Sequence, residues 1–259
     1  MLRYWNDRNF FMLLIAPEKI LLLFSIIFLI RFLLWTTLEH FFRMHTFNRC
    51  EVFLSDLTTM FFYMIVIFPL AQYSSNLIGI EGSFLSFLAD LPLILRIILF
   101  FIIADFLHYW VHRLMHQTYL WRIHRWHHSL DHMSWMGGFR ATVFDATLVN
   151  LAFIFAWPIL GNISYTMIIF ILLCNLLIND WMHLNVNFRL SFLEKIIITP
   201  RYHHVHHSNE KKHYMKNLSA IFPIWDKLFG TYVDPDTVDK KLMFGLDKKI
   251  KTPRLIIGL

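Results

Sequence analysis

The chain contains few charged residues for its length. Asp, Glu, Lys and Arg together account for 16% of its 259 residues, whereas a soluble domain has about 25%. It also has only two cysteines, Cys50 and Cys174, which excludes a disulfide framework and a Cys-x-x-Cys metal site. Glycine and proline number 8 each, which excludes collagen-like and linker-rich chains. The shortage of charge points away from a soluble domain.

Apolar residues are abundant and form long runs. They make up 57% of the chain, and the mean hydropathy is +0.50, an excess too large for one globular core. Runs cover residues 20–38, 52–70 and 91–107, and a fourth stretch, 146–178, is broken at Pro158, Gly161 and Asn162. The first run would extend about 28 Å as a helix, close to the thickness of a bilayer core. We therefore predict an all-α, multi-pass membrane bundle of four or five helices, with 146–178 as a helical hairpin.

The distribution of positive charge predicts the orientation of this bundle. The net charge is +6, and thirteen of the 24 Lys and Arg residues follow residue 180. By the positive-inside rule, segments 39–50, 108–145 and 179–259 are expected on the cytoplasmic side. Residues 1–19 carry three positive charges that conflict with this assignment, so a spanning and a re-entrant or interfacial first segment both remain open. No nucleic-acid-binding motif is present, and nucleic acid is not an expected partner.

Histidine is the unusual component, with 15 residues, most of them in four clusters. The clusters are H-x-x-x-H-x-x-x-H at 108–116, H-x-x-H-H at 124–128, N-x-x-x-H at 179–183 and H-H-x-H-H at 203–207. Residues three or four apart share one face of a helix, so each cluster can present several imidazoles together. Neutral imidazole suits iron, zinc, copper or nickel. Nine clustered imidazoles exceed the needs of one four-coordinate zinc, and the simplest interpretation is two metal ions.

These motifs resemble the three histidine boxes of the membrane fatty acid hydroxylase/sterol desaturase superfamily. The resemblance extends from about residue 105 to 232 and includes HRLMH at 112–116, HRWHHS at 124–129, HHVHH at 203–207 and WDKLFGT at 225–231. It implies a cytoplasmic helical cap that holds a non-haem di-iron centre, O2 as oxidant and a lipid substrate. The implied metal ligands are His112, His116, His124, His127, His128, His183, His203, His206 and His207, with Asn179 acting through water.

The resemblance leaves two roles open for some of the neighbouring residues. His108 is either a ligand or a residue that supports one. Asp105 and Asp180 precede His108 and His183 by three residues, where they would either orient imidazoles or cap helices. His204 falls off the ligand face, and the 225–231 motif is expected to serve packing. His40, His45, His132 and His213 lie outside the ligand spacing. The chain departs from bacterial members at 140–143, where it lacks a histidine.

The resemblance implies an oxidation that needs external electrons. A histidine-ligated di-ferrous centre is electrophilic, and its reaction with O2 leads to hydroxylation or desaturation of an unactivated C–H, both of which remain open. No G-x-G-x-x-G, C-x-x-C-H or cysteine cluster is present. A separate donor of cytochrome b5, ferredoxin or rubredoxin type is therefore expected, steered by the basic surface. Zinc can replace iron in overproduced protein because it binds nitrogen ligands more tightly.

Other functions fit the histidine pattern less well. An intramembrane zinc protease would need H-E-x-x-H, but Arg113 follows His112, and adjacent histidine pairs suit bis-histidine haem ligation poorly. The alternative that we retain is a non-catalytic membrane metal-binding or metal-transport protein. We predict N-terminal transmembrane segments over residues 1–104 and a catalytic region over 105–259, which includes the 146–178 hairpin. The lipid itself, whether sterol, fatty acyl chain or another class, remains open.

Overall fold

The computed structural model describes residues 17–46, 49–78, 85–190, 192–238, 241–246 and 252–258. Residues 1–16 lie outside these described residues. They include part of the positive charge that leaves the topology of the first segment open. Within them the secondary structure is helical, apart from isolated bridges that pair Arg43 with Val186 and Ser208 with Phe244. The predicted all-α class is confirmed.

Six helices form the apolar part of the molecule. They are α1 (Pro17–Phe42), α2 (Arg49–Phe62), α3 (Phe68–Ile78), α4 (Leu93–Met115), α6 (Val143–Ala156) and α7 (Tyr165–His183). A π-helical segment, Tyr63–Ile67, joins α2 to α3 without a break in the helical backbone. Short helices form the cap: α5 (Trp121–His124), α8 (Pro200–His207), α9 (Ile224–Leu228) and α10 (Thr252–Ile256).

Five stretches of these helices are long and apolar enough to cross a membrane. They are Leu22–Phe42, Val52–Ser74, Leu93–Met115, Val143–Leu160 and Thr166–His183. Their outer surfaces expose large apolar side chains such as Leu22, Ile65 and Ile94. Water would penalise such a surface heavily, whereas lipid covers it without cost. The chain is therefore an integral membrane protein, as its composition predicts.

The ends of the fourth predicted run are set by local signals. α6 begins three residues earlier than the run, at Val143, because the Thr142 hydroxyl accepts the backbone N–H of Asp145 and caps the helix. After a 3-10 turn, Trp157–Leu160, the chain reverses at Gly161, whose φ of 59° favours glycine. α7 then continues past the apolar run to His183. The two helices thus leave the cap and return to it.

The packed core is divided between the two ends of the bundle. At the end far from the cap, Phe100, Ala104, Ile159 and Ile171 are fully buried together. At the cap end, a second cluster contains Trp35, Met60, Trp135, Met136, Phe139, Leu184 and Val186. The cap end also joins α1 to the segment after α7, since the Phe42 carbonyl accepts the N–H of Asn187. The end of α4, the start of α6 and the end of α7 meet beneath the cap, where Met115, Ala146 and Met182 line one cavity.

Candidate metal centre

Nine histidine side chains converge where these helix ends meet the cap. They form two groups, and within each group one donor atom per residue lies within 4.8 Å of all the others. The five-histidine group comprises His112, His116, His124, His128 and His206. The four-histidine group comprises His127, His183, His203 and His207. The structure thus brings together every histidine that the box pattern predicts, and it separates them into two sites.

Each histidine box contributes to both groups except the first. His112 and His116 come from the last turn of α4 and both join the five-histidine group. The second box divides, with His127 in the four-histidine group between two members of the other. The third box, on α8, divides the other way, with His206 in the five-histidine group between two members of the four-histidine group. The two groups are adjacent, because the rings of His128 and His207 stack with centroids 4.5 Å apart.

The hydrogen bonds of the five-histidine group direct its Nε2 atoms inward. His112 Nδ1 donates to the Leu218 carbonyl at 2.7 Å, and His124 Nδ1 donates to the Asp145 carboxylate at 3.0 Å. Because carbonyl and carboxylate oxygens only accept, the proton of each ring is on Nδ1 and the Nε2 lone pair is free. These two Nε2 atoms lie 3.1 Å apart. Two lone pairs at that distance repel each other, and a shared cation removes the repulsion.

The four-histidine group repeats this arrangement with backbone acceptors. His127 Nδ1 donates to the Arg140 carbonyl at 3.2 Å, and His183 Nδ1 donates to the Asn179 carbonyl at 2.8 Å. Their Nε2 atoms lie 3.3 Å apart, and His203 Nε2 is 3.2 Å from that of His183. Two lone-pair donors and the Nε2 atom of His203 therefore surround one small volume, which is the arrangement of a metal site.

Other ring nitrogens are buried without a hydrogen-bond partner. In the five-histidine group this holds for Nε2 of His116, His128 and His206. A buried polar atom without a partner is costly, and a metal ion would satisfy all three. His206 Nδ1 lies 2.9 Å from the Lys216 carbonyl, which again leaves Nε2 as the donor atom. The residues present therefore fit two transition-metal ions held by nitrogen.

Burial keeps six of these imidazoles neutral and ready to bind a metal. It lowers the pKa of His206 to about 3, against a usual value of 6.5. Burial and the neighbouring imidazoles hold the pKa well below 6.5 for His116, His127, His128, His203 and His207. Only the neutral ring offers a lone pair, so at neutral pH these six rings are available to a metal cation rather than occupied by a proton.

His108 and Asn179 border the histidines without joining either group. Both line a cavity of about 110 Å³ together with members of both groups. The His108 ring is 5.5 Å from that of His112, and its buried Nδ1 has no partner. The Asn179 side chain faces Gly138, where a Cβ would lie 2.6 Å from its amide and from His183 Nδ1. A ligand role for either residue, direct or through water, stays a prediction.

The two predicted carboxylates contact other partners than the imidazoles proposed for them. Asp105 accepts the backbone N–H groups of residues 220–222 at 2.8–3.1 Å and the indole N–H of Trp225. Asp180 pairs with Arg31. The hydrogen bonds of the described residues thus direct both carboxylates to partners other than His108 and His183, and a supporting role of Asp105 and Asp180 at the site stays a prediction. Residues three apart on a helix differ by about 60° in azimuth, and here they face different neighbours.

Asp145 is a site residue that the sequence pattern did not reveal. It stands at the start of an apolar run, and its carboxylate holds His124 in place. The available signal was Thr142 three residues earlier, which with an acidic residue resembles a capping box. Asp145 thus takes part in the helix cap through its backbone N–H and in the histidine cluster through its carboxylate.

The 225–231 motif supports the site from behind, as expected for a packing motif. Asp226 is fully buried and accepts the N–H groups of Leu218 and Ser219, each at 2.8 Å. It also accepts from Thr231 at 2.7 Å and from the Tyr202 hydroxyl. Because the Leu218 carbonyl accepts the His112 ring N–H, Asp226 positions that ring indirectly, through residue 218.

His204 and the four histidines outside the boxes lie outside both groups. His204 Nε2 is 3.0 Å from the Leu184 carbonyl, which confirms that it faces away from the ligands. His40 is exposed, and His213 lies against Ser208. His132 is held between two aspartates, Asp56 and Asp131.

Comparison with known proteins agrees with this architecture. The fatty acid hydroxylase family profile matches residues 97–231, just over half of the chain, which contain all nine grouped histidines. Alkylglycerol monooxygenase of Homo sapiens is 33% identical over 153 residues, 59% of this chain and 33% of that protein. Ornithine lipid hydroxylase OlsE of Rhizobium tropici is 32% identical over 152 residues, 56% of this chain and 44% of that protein.

A methylsterol monooxygenase of Aspergillus fumigatus is 28% identical over 163 residues, 56% of this chain and 49% of that protein. The aligned part of the chain thus spans one third to one half of the length of these relatives. No solved structure is significantly similar to it. The family profile covers both histidine groups and the helices that carry them, and the chain belongs to the fatty acid hydroxylase family.

Proposed function

We propose that the chain is a di-iron, O2-dependent oxidoreductase that hydroxylates or desaturates an unactivated C–H bond of a membrane lipid. The observation that carries this proposal is the division of nine imidazoles, seven of them on buried residues, into two groups beside one cavity. Two bound irons would supply the binding and reduction of O2 that this oxidation needs. Neutral nitrogen donors suit iron, and the family membership supports an oxidation rather than metal storage.

The cavity beside the histidines is suited to an apolar part of a substrate. Its walls include the apolar side chains of Met115, Ala146, Val149 and Met182, which come from α4, α6 and α7. These helices are long and apolar enough to cross a membrane, so a lipid chain can approach from the bilayer. Apolar walls bind a hydrocarbon segment and exclude water from the reacting carbon.

The protein's own residues orient the site rather than donate or accept substrate protons. Asp145 and the carbonyls of Leu218 and Lys216 hold rings of the five-histidine group. The carbonyls of Arg140 and Asn179 hold rings of the four-histidine group. This network fixes the tautomer of these five rings, which is a main influence of outer residues on a metal site.

The names of the relatives suggest the class of substrate. Alkylglycerol, an ornithine lipid and a methylsterol stand in the names of the three relatives. All are lipids, and we propose a membrane lipid for this chain without choosing among them.

An external one-electron carrier completes the proposal. Trp121 is partly exposed, and its ring contacts His116 and His128 with centroids 5.2 and 5.1 Å apart. Residues 106–130 include three arginines and no Asp or Glu. An acidic cytochrome b5, ferredoxin or rubredoxin would be attracted to this surface. We place it, and the site, on the cytoplasmic side, in accord with the positive-inside pattern.

The test is metal analysis combined with lipid product analysis. The full chain, purified in lipid nanodiscs and loaded with iron, is expected to hold two irons per chain and to show no haem absorption. With each carrier type, its reductase and O2, extracted membrane lipids should gain one oxygen atom or lose two hydrogens. Turnover that falls with rising salt would support an electrostatic carrier contact. Bound metal without any lipid product would instead favour the non-catalytic metal-binding or transport alternative.

A further inference from the structure

Helix α1 carries three buried polar side chains on one face, although most of the helix is apolar. Arg31, Trp35 and Glu39 are spaced four residues apart and are 4%, 9% and 5% exposed. Residues at i, i+4 and i+8 lie on the same side of a helix. Charged residues inside a membrane-spanning segment are costly and are retained where they have a definite partner. We call this set the α1 clamp.

Two members of the α1 clamp hold Asp180 of α7. Arg31 donates from Nε and a terminal nitrogen to the two carboxylate oxygens, at 2.6 and 2.7 Å. The Trp35 indole N–H donates to the same carboxylate at 2.8 Å. Such a two-point pair fixes both distance and rotation. Asp180 directly follows Asn179, whose carbonyl orients the ring of His183.

The third member holds the chain on the other side of His183. The Glu39 carboxylate accepts the backbone N–H groups of Asn185 at 3.1 Å and of Trp135 at 2.8 Å. Residue 184, between His183 and Asn185, provides the carbonyl that faces His204. His183 therefore lies on a short stretch of chain that the α1 clamp holds on both sides.

The five-histidine group has no comparable contact with α1 among the described residues. Its ring partners come from Asp145 at the start of α6 and from the carbonyls of Lys216 and Leu218. Helix α1 also lies outside the region matched by the family profile, residues 97–231. Contact with α1 therefore distinguishes the four-histidine group from the five-histidine group.

We propose that the α1 clamp is the positioning element of the four-histidine group, so that the first membrane helix controls metal binding at this group alone. The inference rests on the proposed pair of metal ions. Without the α1 clamp, the end of α7 can rotate, and His183 no longer faces His127 and His203. The five-histidine group keeps its own supports and retains its ion.

The experiment measures metal content and metal release in the full chain in nanodiscs. Arg31→Ala removes the paired charge, and Trp35→Phe removes one hydrogen bond while it keeps the ring. The matched control is Arg96→Ala, since Arg96 is also on a membrane helix but donates to the Leu160 carbonyl at the far end. His207→Ala and His206→Ala identify which phase of chelator-driven release belongs to which group.

The wild type and the Arg96→Ala variant are expected to hold two irons, and Arg31→Ala one. Trp35→Phe should release iron about 10-fold faster from the four-histidine group only, the lower range for loss of an outer support. Unchanged release, or equal acceleration of both phases, would overturn the proposal, and Trp35→Phe decides alone if Arg31→Ala does not fold. A wild type with fewer than two irons would contradict the di-iron proposal instead.

Discussion

The five-histidine and four-histidine groups are held by different kinds of support. A carboxylate, Asp145, and two carbonyls of the 216–218 segment hold the first group. The second is held by backbone carbonyls at Arg140 and Asn179 and, through the end of α7, by the α1 clamp. A charged hydrogen bond is stronger than a neutral one, so we expect tighter metal binding at the five-histidine group.

The two groups also differ in their share of the cavity. Three of the four histidines in the smaller group line it, namely His127, His183 and His203, against His112 and His124 of the larger group. A site with fewer protein donors leaves more positions for other ligands. We therefore expect the five-histidine group to hold its metal ion more tightly and the four-histidine group to present its ion to the cavity and the substrate.

Removal of a ligand should give the largest effect. His206→Ala and His207→Ala exchange neighbouring residues that belong to different groups. Each variant is expected to lose one of two metals and lipid oxidation to background, because an imidazole donor has no substitute nearby. Metal analysis of both variants, with exposed His40→Ala as the control, checks this. Loss of both metals from either variant would show that the groups are one cooperative unit.

A methyl group at residue 138 should weaken the four-histidine group selectively. The Cβ of Gly138→Ala would lie 2.6 Å from the Asn179 amide and from His183 Nδ1, so His183 must move. We expect metal affinity there to fall by more than about 10-fold, as measured by competition with a chelator. Gly137→Ala is the matched control, since its Cβ would meet the flexible Leu130 side chain at 3.0 Å and Ser134 Oγ at 3.7 Å, and neither residue belongs to the four-histidine group. Equal effects of the two substitutions would contradict this geometry.

Loss of the Asp145 carboxylate should weaken metal binding at the five-histidine group. Asp145→Asn keeps the shape of the side chain but removes the charge that holds His124. Metal affinity of the five-histidine group is expected to fall by roughly 10-fold, the lower range for such supports, while the four-histidine group is unchanged. Two-phase chelator release distinguishes the groups. An effect on the four-histidine group instead would reverse the proposed assignment of supports.

Acidification should give the smallest change near neutral pH. The folded chain holds the pKa of His206 at about 3, against 6.5 in an unfolded chain, so the unfolded chain binds more protons between these values. Stability from this residue is therefore complete above pH 6.5 and falls as the pH drops from 6.5 towards 3, by about 1.4 kcal/mol per unit.

This loss is measured by the melting temperature of the metal-free protein at several pH values from about 7 down to about 5, a range in which histidine titrates. His206→Ala should show a shallower decline than the wild type because one titrating group is gone. Equal slopes in the two proteins would contradict the assigned burial effect. The same comparison with His207→Ala tests the four-histidine group, where burial also holds the pKa well below 6.5.

The sequence by itself determined the class of fold and the identity of the clustered histidines. Long apolar runs require helices in a membrane because a lipid environment leaves no other partner for backbone polar groups. Spacing of three and four residues places imidazoles on one helix face. Both features are local, so they can be recognised without knowledge of the tertiary structure. The division at residue 104 and the cytoplasmic orientation stay predictions.

Only the tertiary structure decided how the histidines divide and what holds them. His127 and His128 are adjacent in sequence yet join different groups, because each ring finds its partners on other helices. Asp145 reaches His124 across 21 positions, and Arg31 reaches Asp180 across 149. Such contacts depend on which helix faces pack together, which no local spacing encodes. The pattern of residues thus identified the candidate ligands, whereas helix packing divided them into two unequal groups.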